Sequence, residues 1–223
     1  MSCPVNHSQE KDKCPVEPPQ RSAWSRLFSS APPASTPGPV PPPATPMLSQ
    51  TREVSSIPRV ADGNWVYPSE AQFFAAMARK RHDPQAADMR TIVPIHNAVN
   101  ERAWAEVLRW EAGRGGDACG GPRLVTFKGR PGERSVRARC KMLLGYSAPF
   151  DRHDWVVDRC GVQMRYIIDF YTGRSEGPGP SFFLDVRPAL DNWEGVKMRA
   201  QHFWAKWFGG AVPQPVAKPP SNS

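Results

Sequence analysis

No stretch of this sequence could cross a bilayer as a helix. Its longest run without a charged residue, 27–51, contains eight prolines and little bulky apolar surface. Proline removes helical hydrogen bonds that lipid cannot replace. There is no Gly-x-Ser-x-Gly, no P-loop and no Gly-x-Gly-x-x-Gly, so an esterase-type nucleophile and the common nucleotide cradles are not expected. Cysteine is scarce, with five residues at 3, 14, 119, 140 and 160, and no pair has Cys-x-x-Cys spacing. That argues against a zinc ribbon, a thioredoxin-type site or a disulfide framework. The first residues show neither an apolar signal core nor an Arg-rich amphipathic presequence, and residue 2 is Ser. Secretion, a cleaved presequence and myristoylation are therefore not expected.

Proline, tryptophan and positive charge are abundant. Of 26 prolines, half fall in the first 64 residues, whereas seven of the eight tryptophans fall from Trp65 onward. The chain reads as a disordered Pro-rich tail over 1–60, a folded domain over 61–208 and a second tail over 209–223. About 160 residues from Trp65 suffice for a sizeable core. The net charge of +8 suggests an acidic partner: nucleic acid, anionic lipid or an anionic small molecule. No zinc finger, aromatic RNP box or basic helix supports nucleic acid, and none is expected as a partner.

The domain reads as α+β, a small antiparallel sheet flanked by helices. Ser69 and Gln72 form a capping-box pattern at a helix start, with Phe73, Phe74 and Met77 as its buried stripe. A second helix is expected from Asn97, carrying Trp104, Val107 and Leu108 and stopping at Gly113 to Gly116. Leu124 to Lys128 is β-prone, and Met164, Tyr166, Ile168 and Phe170 alternate along one strand face. Phe182, Leu184 and Val186 alternate along the next strand, across a Gly/Pro-rich hairpin connection at 173–180. The last helix carries Trp193, Val196, Ala200, Phe203, Trp204 and Trp207 on one stripe. Packing of that stripe into the core is the favoured reading, and a surface helix touching membrane or a partner is the alternative.

The residues offer few reactive constellations. Cys3 and Cys14 each open a Cys-Pro-Val triplet. A thiolate can ligate haem iron, and the following proline removes a competing N–H. His153-Asp154 resembles the doublet of metal-dependent phosphohydrolases, with His96, Asp169 and Asp185 as loose companions. The bland alternative is a local charge network of Asp151, Arg152, His153 and Asp154 at a turn. His96 follows Pro94 and precedes the expected N-cap Asn97. A helix N-terminus disfavours imidazolium, and a neutral imidazole is what a metal needs. Glu101, five residues on, lies about 140° round a helix from His96 and need not touch it.

Several segments stand in an order that resembles one family. They are Trp65 to Glu70 (WVYPSE), Ile95-His96-Asn97 with Asn100-Glu101 and Ala103-Trp104, Gly145-Tyr146, and Pro149 to Trp155 (PFDRHDW). Asp158 to Gly161 (DRCG), Arg165-Tyr166 with Ile168-Asp169, and Leu184 to Asp191 (LDVRPALD) follow. The pattern resembles the holocytochrome c synthases, the mitochondrial cytochrome c-type haem lyases. It covers roughly 52–208 and, in the tail, the Cys-Pro pairs.

The resemblance implies an enzyme, a carbon–sulfur lyase, that joins the two haem vinyl groups to the thiols of Cys-x-x-Cys-His in apocytochrome c. Haem b is then a substrate. The matching positions imply His96 as axial iron ligand, with Trp65, Tyr67 and Pro68 lining the haem site. Glu101 and Arg159 match positions tied to haem, and Glu101 shares the catalytic assignment with His96. His153 lies in the longest matching string, with a haem-binding or structural role. Cys3 and Cys14 would hold a regulatory haem, if any. The implied location is the mitochondrial intermembrane space, peripheral on the inner membrane. A haem-binding chaperone or sensor without ligase activity is the main rival. A peripheral membrane or nucleic-acid interaction protein is the second.

Overall fold

The computed structural model describes residues 47–61, 63–173 and 181–209. The architecture is α+β, as the sequence indicates. Two short strands, β1 (Val54–Pro58) and β2 (Asn64–Val66), pair antiparallel. Helix α1 (Glu70–Arg79) and the long helix α2 (Met89–Glu111) follow. Strand β3 (Arg123–Gly129), helix α3 (Val136–Leu143), strands β4 (Asp151–Arg159), β5 (Val162–Thr172) and β6 (Phe182–Pro188), and helix α4 (Trp193–Phe208) complete the chain order. The larger sheet is an antiparallel meander, β3-β4-β5-β6. A parallel bridge from Arg59 to Leu124 joins the small sheet to it.

The register of β4 and β5 divides the larger sheet into two unlike faces. Trp155 opposes Tyr166, Val157 opposes Met164 and His153 opposes Ile168. These side chains share one face with Phe170 and Val186, and α2 covers it with Ala103, Trp104 and Val107. Arg152, Asp154, Arg165, Asp169 and Arg187 alternate onto the other face. There Arg187 pairs with Asp169, and Asp154 with Arg152 and Arg165.

Several elements depart from the sequence expectations. Among the described residues, strand β1 stands ahead of Trp65. Helix α2 begins at Met89 rather than Asn97 and runs through Pro94. A proline within a helix costs roughly 3 kcal/mol. Burial of Met89 and Ile92 against Phe73, Phe74 and Leu48 opposes that cost. His96 therefore sits two turns into the helix rather than at its dipole end. The Asp151–Asp154 segment is part of strand β4, not a turn, although its charges do pair locally. Among the described residues a disulfide joins Cys119 to Cys160. Cys140 on α3 is free and exposed. The apolar stripe of α4 faces solvent: Trp193, Phe203, Trp204 and Trp207 are exposed, and only Gly195 and Met198 of α4 are buried. The core beneath is already filled by α2, so only Met198 is needed there.

Glu111, at the end of α2, is buried where helix, sheet and α4 meet. It accepts hydrogen bonds from Arg159 and from the Tyr166 hydroxyl. Arg159 also reaches Glu194 of α4, at 3.6 Å. Removing one partner of a buried ion pair leaves a desolvated charge behind. Glu111→Ala is expected to destabilise the fold by about 3–5 kcal/mol, read by urea unfolding. Replacing Glu111 and Arg159 together by Met should cost less than the single change.

Candidate functional site

A cleft opens where β2, α1, α2 and the apolar sheet face converge. The capping box predicted at Ser69 is present, and it turns the chain sharply from β2 into α1. That turn sets Trp65, Tyr67 and Pro68 on one wall. Phe73 and Ala76 come from α1, His96 and Asn100 from α2, and Leu124, Phe127 and Trp155 from the sheet. Together they line a cavity of about 600 Å³, within the range of cofactor sites. Trp65 stands edge-on to Phe127 with ring centres 5.0 Å apart, and Phe127 meets Trp155 likewise at 6.0 Å. Two cations border this aromatic wall. Arg59 lies 5.5 Å from the centre of the Trp65 ring, and Arg52 donates to the carbonyls of Val66 and Tyr67. Neither forms an ion pair with a carboxylate among the described residues.

His96 is the imidazole of this cleft. Its ring packs edge-on against Phe73, 5.0 Å between centres. The Asn100 amide donates to the His96 carbonyl at 2.9 Å and lies 3.2 Å from Nδ1, which fixes the ring's setting. Burial, reinforced by the nearby His153, holds the imidazole down to about 4. The ring is thus neutral at physiological pH, through desolvation and not through the helix end expected from sequence. His96 also lines a smaller adjoining cavity of about 230 Å³, with His153, Asp151, Lys80 and His82. His153 Nε2 meets Asp151 at 3.3 Å, and its ring contacts Phe127 and Phe170.

Glu101 does not line the cleft. It stands behind it, accepting hydrogen bonds from Ser55, Ser56 and the Tyr67 hydroxyl. Partial burial opposes its ionisation, but those donors outweigh burial and hold the carboxyl below its ordinary value. Burial in turn pushes the Tyr67 phenol well above its ordinary value, with Glu101 adding to the rise. One turn earlier, Asn97 donates to Glu53 at 2.7 Å. The structure thus brings together Trp65, Tyr67, Pro68 and His96, with His153 alongside and Glu101 as a support. Arg159 is elsewhere, in the buried group with Glu111. Cys3 and Cys14 lie outside the described residues. Sequence reasoning did not pick out Arg52, Arg59, Phe73, Asn100, Phe127 or Trp155 for this cleft. Asn100 and Trp155 lie within the quoted motif strings, Phe73 and Phe127 were expected only on a helix stripe and in a strand, and Arg52 and Arg59 carried no signal.

Among the described residues no group of three His, Cys, Asp or Glu side chains could hold a bare metal ion. A lone neutral imidazole suits a different cargo, a metal already held in a macrocycle and lacking only an axial ligand. Aromatic walls accept the ring and peripheral cations accept anionic substituents. The site therefore has the make-up of one for a planar, anionic metallo-macrocycle. The family of cytochrome c/c1 heme lyases matches residues 1–203, and the chain belongs to that family of enzymes, which attach haem to cytochrome c. A protein of Chaetomium thermophilum, provisionally named a holocytochrome-c1 synthase, is 55% identical over 70% of this chain. The chain spans only 64% of that relative's length. A Schizosaccharomyces pombe protein with the same provisional name is 47% identical over 91% of this chain and 95% of its own. The human holocytochrome c-type synthase is 42% identical over 93% of this chain and 76% of its own. No solved structure matches the chain.

The depressed His96 value sets the sign of one pH effect. Between its ordinary value of 6.5 and about 4, the unfolded chain takes up a proton that the native chain refuses. Haem-free protein should lose stability through this group as pH falls across that window, and the loss should level off below it. Denaturant unfolding at pH 7, 5.5 and 4 should show a shallower decline for His96→Gln than for the unsubstituted protein.

Proposed function

We propose that this chain joins haem covalently to an apocytochrome, forming thioethers between the haem vinyl groups and the thiols of a Cys-x-x-Cys-His segment. The observation that carries this reading is the neutral His96 imidazole in an aromatic cleft bordered by Arg52 and Arg59. His96 would hold the iron from one side, and the acceptor's own His would approach from the other. Trp65 and Phe127 would face the porphyrin, and Arg52 and Arg59 would pair with its propionates. The His153–Asp151 pair borders the adjoining cavity, beside the same imidazole.

The chemistry needs no nucleophile from this chain. In each thioether a thiol S–H adds across a vinyl group: a C–S bond forms, the C=C π bond breaks, and the thiol proton ends on the terminal carbon. Nothing leaves and no net electrons move. What the chain's residues supply is orientation and a water-poor wall. The Asn100 contact holds the imidazole, and the Glu101 hydrogen bonds hold the strands that carry Trp65. Following the resemblance, we assign the enzyme to the mitochondrial intermembrane space, peripheral on the inner membrane. Among the described residues no helix is long and apolar enough to cross a membrane.

A finer reading concerns the acceptor. The two fungal relatives named for cytochrome c1 share more of this sequence than the human c-type protein does. Cytochrome c1 is therefore our preferred acceptor. The test is co-expression in a bacterium lacking its own cytochrome c maturation, with apocytochrome c or c1. Covalent haem on a denaturing gel and a c-type absorption spectrum should depend on this chain and be stronger with c1. His96→Ala should lose most of the product, and Arg52→Ala with Arg59→Ala should lower haem retention. Bound haem with no covalent product from either acceptor would favour a carrier without ligase activity.

A further inference from the structure

Helix α4 is inside out. At 100° per residue, Met198, Gly195 and His202 fall on one side, and that side holds the helix to the protein. Met198 is fully buried in the core, Gly195 presses on Ala189, and His202 packs tilted against Trp110 with ring centres 4.5 Å apart. Trp193, Phe203, Trp204, Trp207 and Phe208 fall on the opposite side, between 56% and 76% exposed. A helix with only a core to satisfy would be turned the other way. A contiguous apolar patch of this kind marks an interaction surface.

A second observation lies beside it. Between α3, the charged sheet face and α4 runs a groove of about 1370 Å³. Seven arginines line it, against two carboxylates, Glu133 and Asp191. Arg134, Arg139 and Arg199 form no ion pair with a carboxylate among the described residues. Arg187 and Arg137 lower the ordinary value of Arg199 further, after burial, so the cations stand close enough to repel. Val136 and Leu143 border the same groove and are 78% and 88% exposed. Arg199 belongs to both features, at the edge of the aromatic side of α4. Glu194 is the only acidic residue of that helix.

The mixture selects one kind of partner. Tryptophan rings settle at the headgroup level of a bilayer, and arginines bind lipid phosphate. An acidic protein would answer the cations but would need a shaped groove for five aromatic rings. We propose that the aromatic side of α4 and the arginine groove dock the protein on a bilayer containing anionic phospholipid. This rests on the inner-membrane assignment above and supplies the surface and the lipid chemistry for it. The arginine groove lies on the sheet face opposite the His96 cleft, and no residue of α4 lines that cleft.

The test uses the full chain, sedimented with vesicles of phosphatidylcholine alone and of phosphatidylcholine mixed with phosphatidylglycerol. Binding to the mixed vesicles is expected to be roughly tenfold or more tighter and to weaken with salt. W204S/W207S should lose most vesicle binding, and R134Q/R139Q/R199Q should lose the preference for anionic lipid. Both should keep haem attachment to an apocytochrome supplied in solution, and circular dichroism should show both folded. Equal binding to the two vesicle types, or variants that sediment like the unsubstituted protein, would overturn the proposal. So would variants that keep vesicle binding but lose haem attachment, which would give this surface to the polypeptide acceptor. Absence of haem attachment in the unsubstituted protein would count against the enzymatic reading and leave vesicle binding to be judged separately.

Discussion

The carboxylate of Glu101 determines where the two halves of the cleft stand. His96 belongs to α2, whereas Trp65 belongs to a two-stranded ribbon that could not hold its own shape in water. Glu101 accepts from Ser55 and Ser56 of β1 and from Tyr67 just beyond β2, while Asn97 engages Glu53 one turn away. Hydrogen bonds to an ionised group contribute about 1.5–3 kcal/mol each. The same carboxylate therefore fixes the ribbon to the helix and the aromatic wall to the imidazole. A side chain that does not line the cleft still decides whether His96 and Trp65 face one space.

The larger sheet keeps two environments apart. Its apolar face, with Trp155, Tyr166 and Ile168, is covered by α2, and Leu124, Phe127 and Trp155 from it line the cleft. Its charged face carries Asp169, fully buried with Arg187, and Asp154 among three arginines. Buried ion pairs add little net stability against an apolar core, yet here they admit a row of arginines onto the back of a sheet. Because strand side chains alternate, one sequence builds both surfaces without a second domain.

Much of this was legible before any coordinates. The alternation of Met164, Tyr166, Ile168 and Phe170 marked the core face of β5, and Ser69 with Gln72 marked the start of α1. The motif strings led to His96 and Trp65 together. Other features were hidden for identifiable reasons. Pro94 looked like a boundary because local sterics say so, and only the distant packing of Met89 and Ile92 carries the helix through it. The α4 stripe obeyed helical periodicity, but periodicity does not say which way a helix is turned; the core was already full. Arg159 shares a motif string with Cys160, and sequence cannot show that Glu111, 48 residues away, holds its guanidinium. Ser135 caps α3 through the Ala138 amide, a signal present in the sequence but too short to weigh alone.

The cysteines have one more consequence. On the proposed reaction, which joins thiols to vinyl groups, a cysteine of the catalyst itself would compete with the substrate. Among the described residues no cysteine lines the cleft. Cys119 and Cys160 are locked to each other in a disulfide, and Cys140 lies on α3, over the opposite face of the sheet. On the proposed reaction, a vinyl group held in the cleft would meet no sulfur from the described residues. Placed this way, the described cysteines would be spared alkylation and the cleft left free for another turnover.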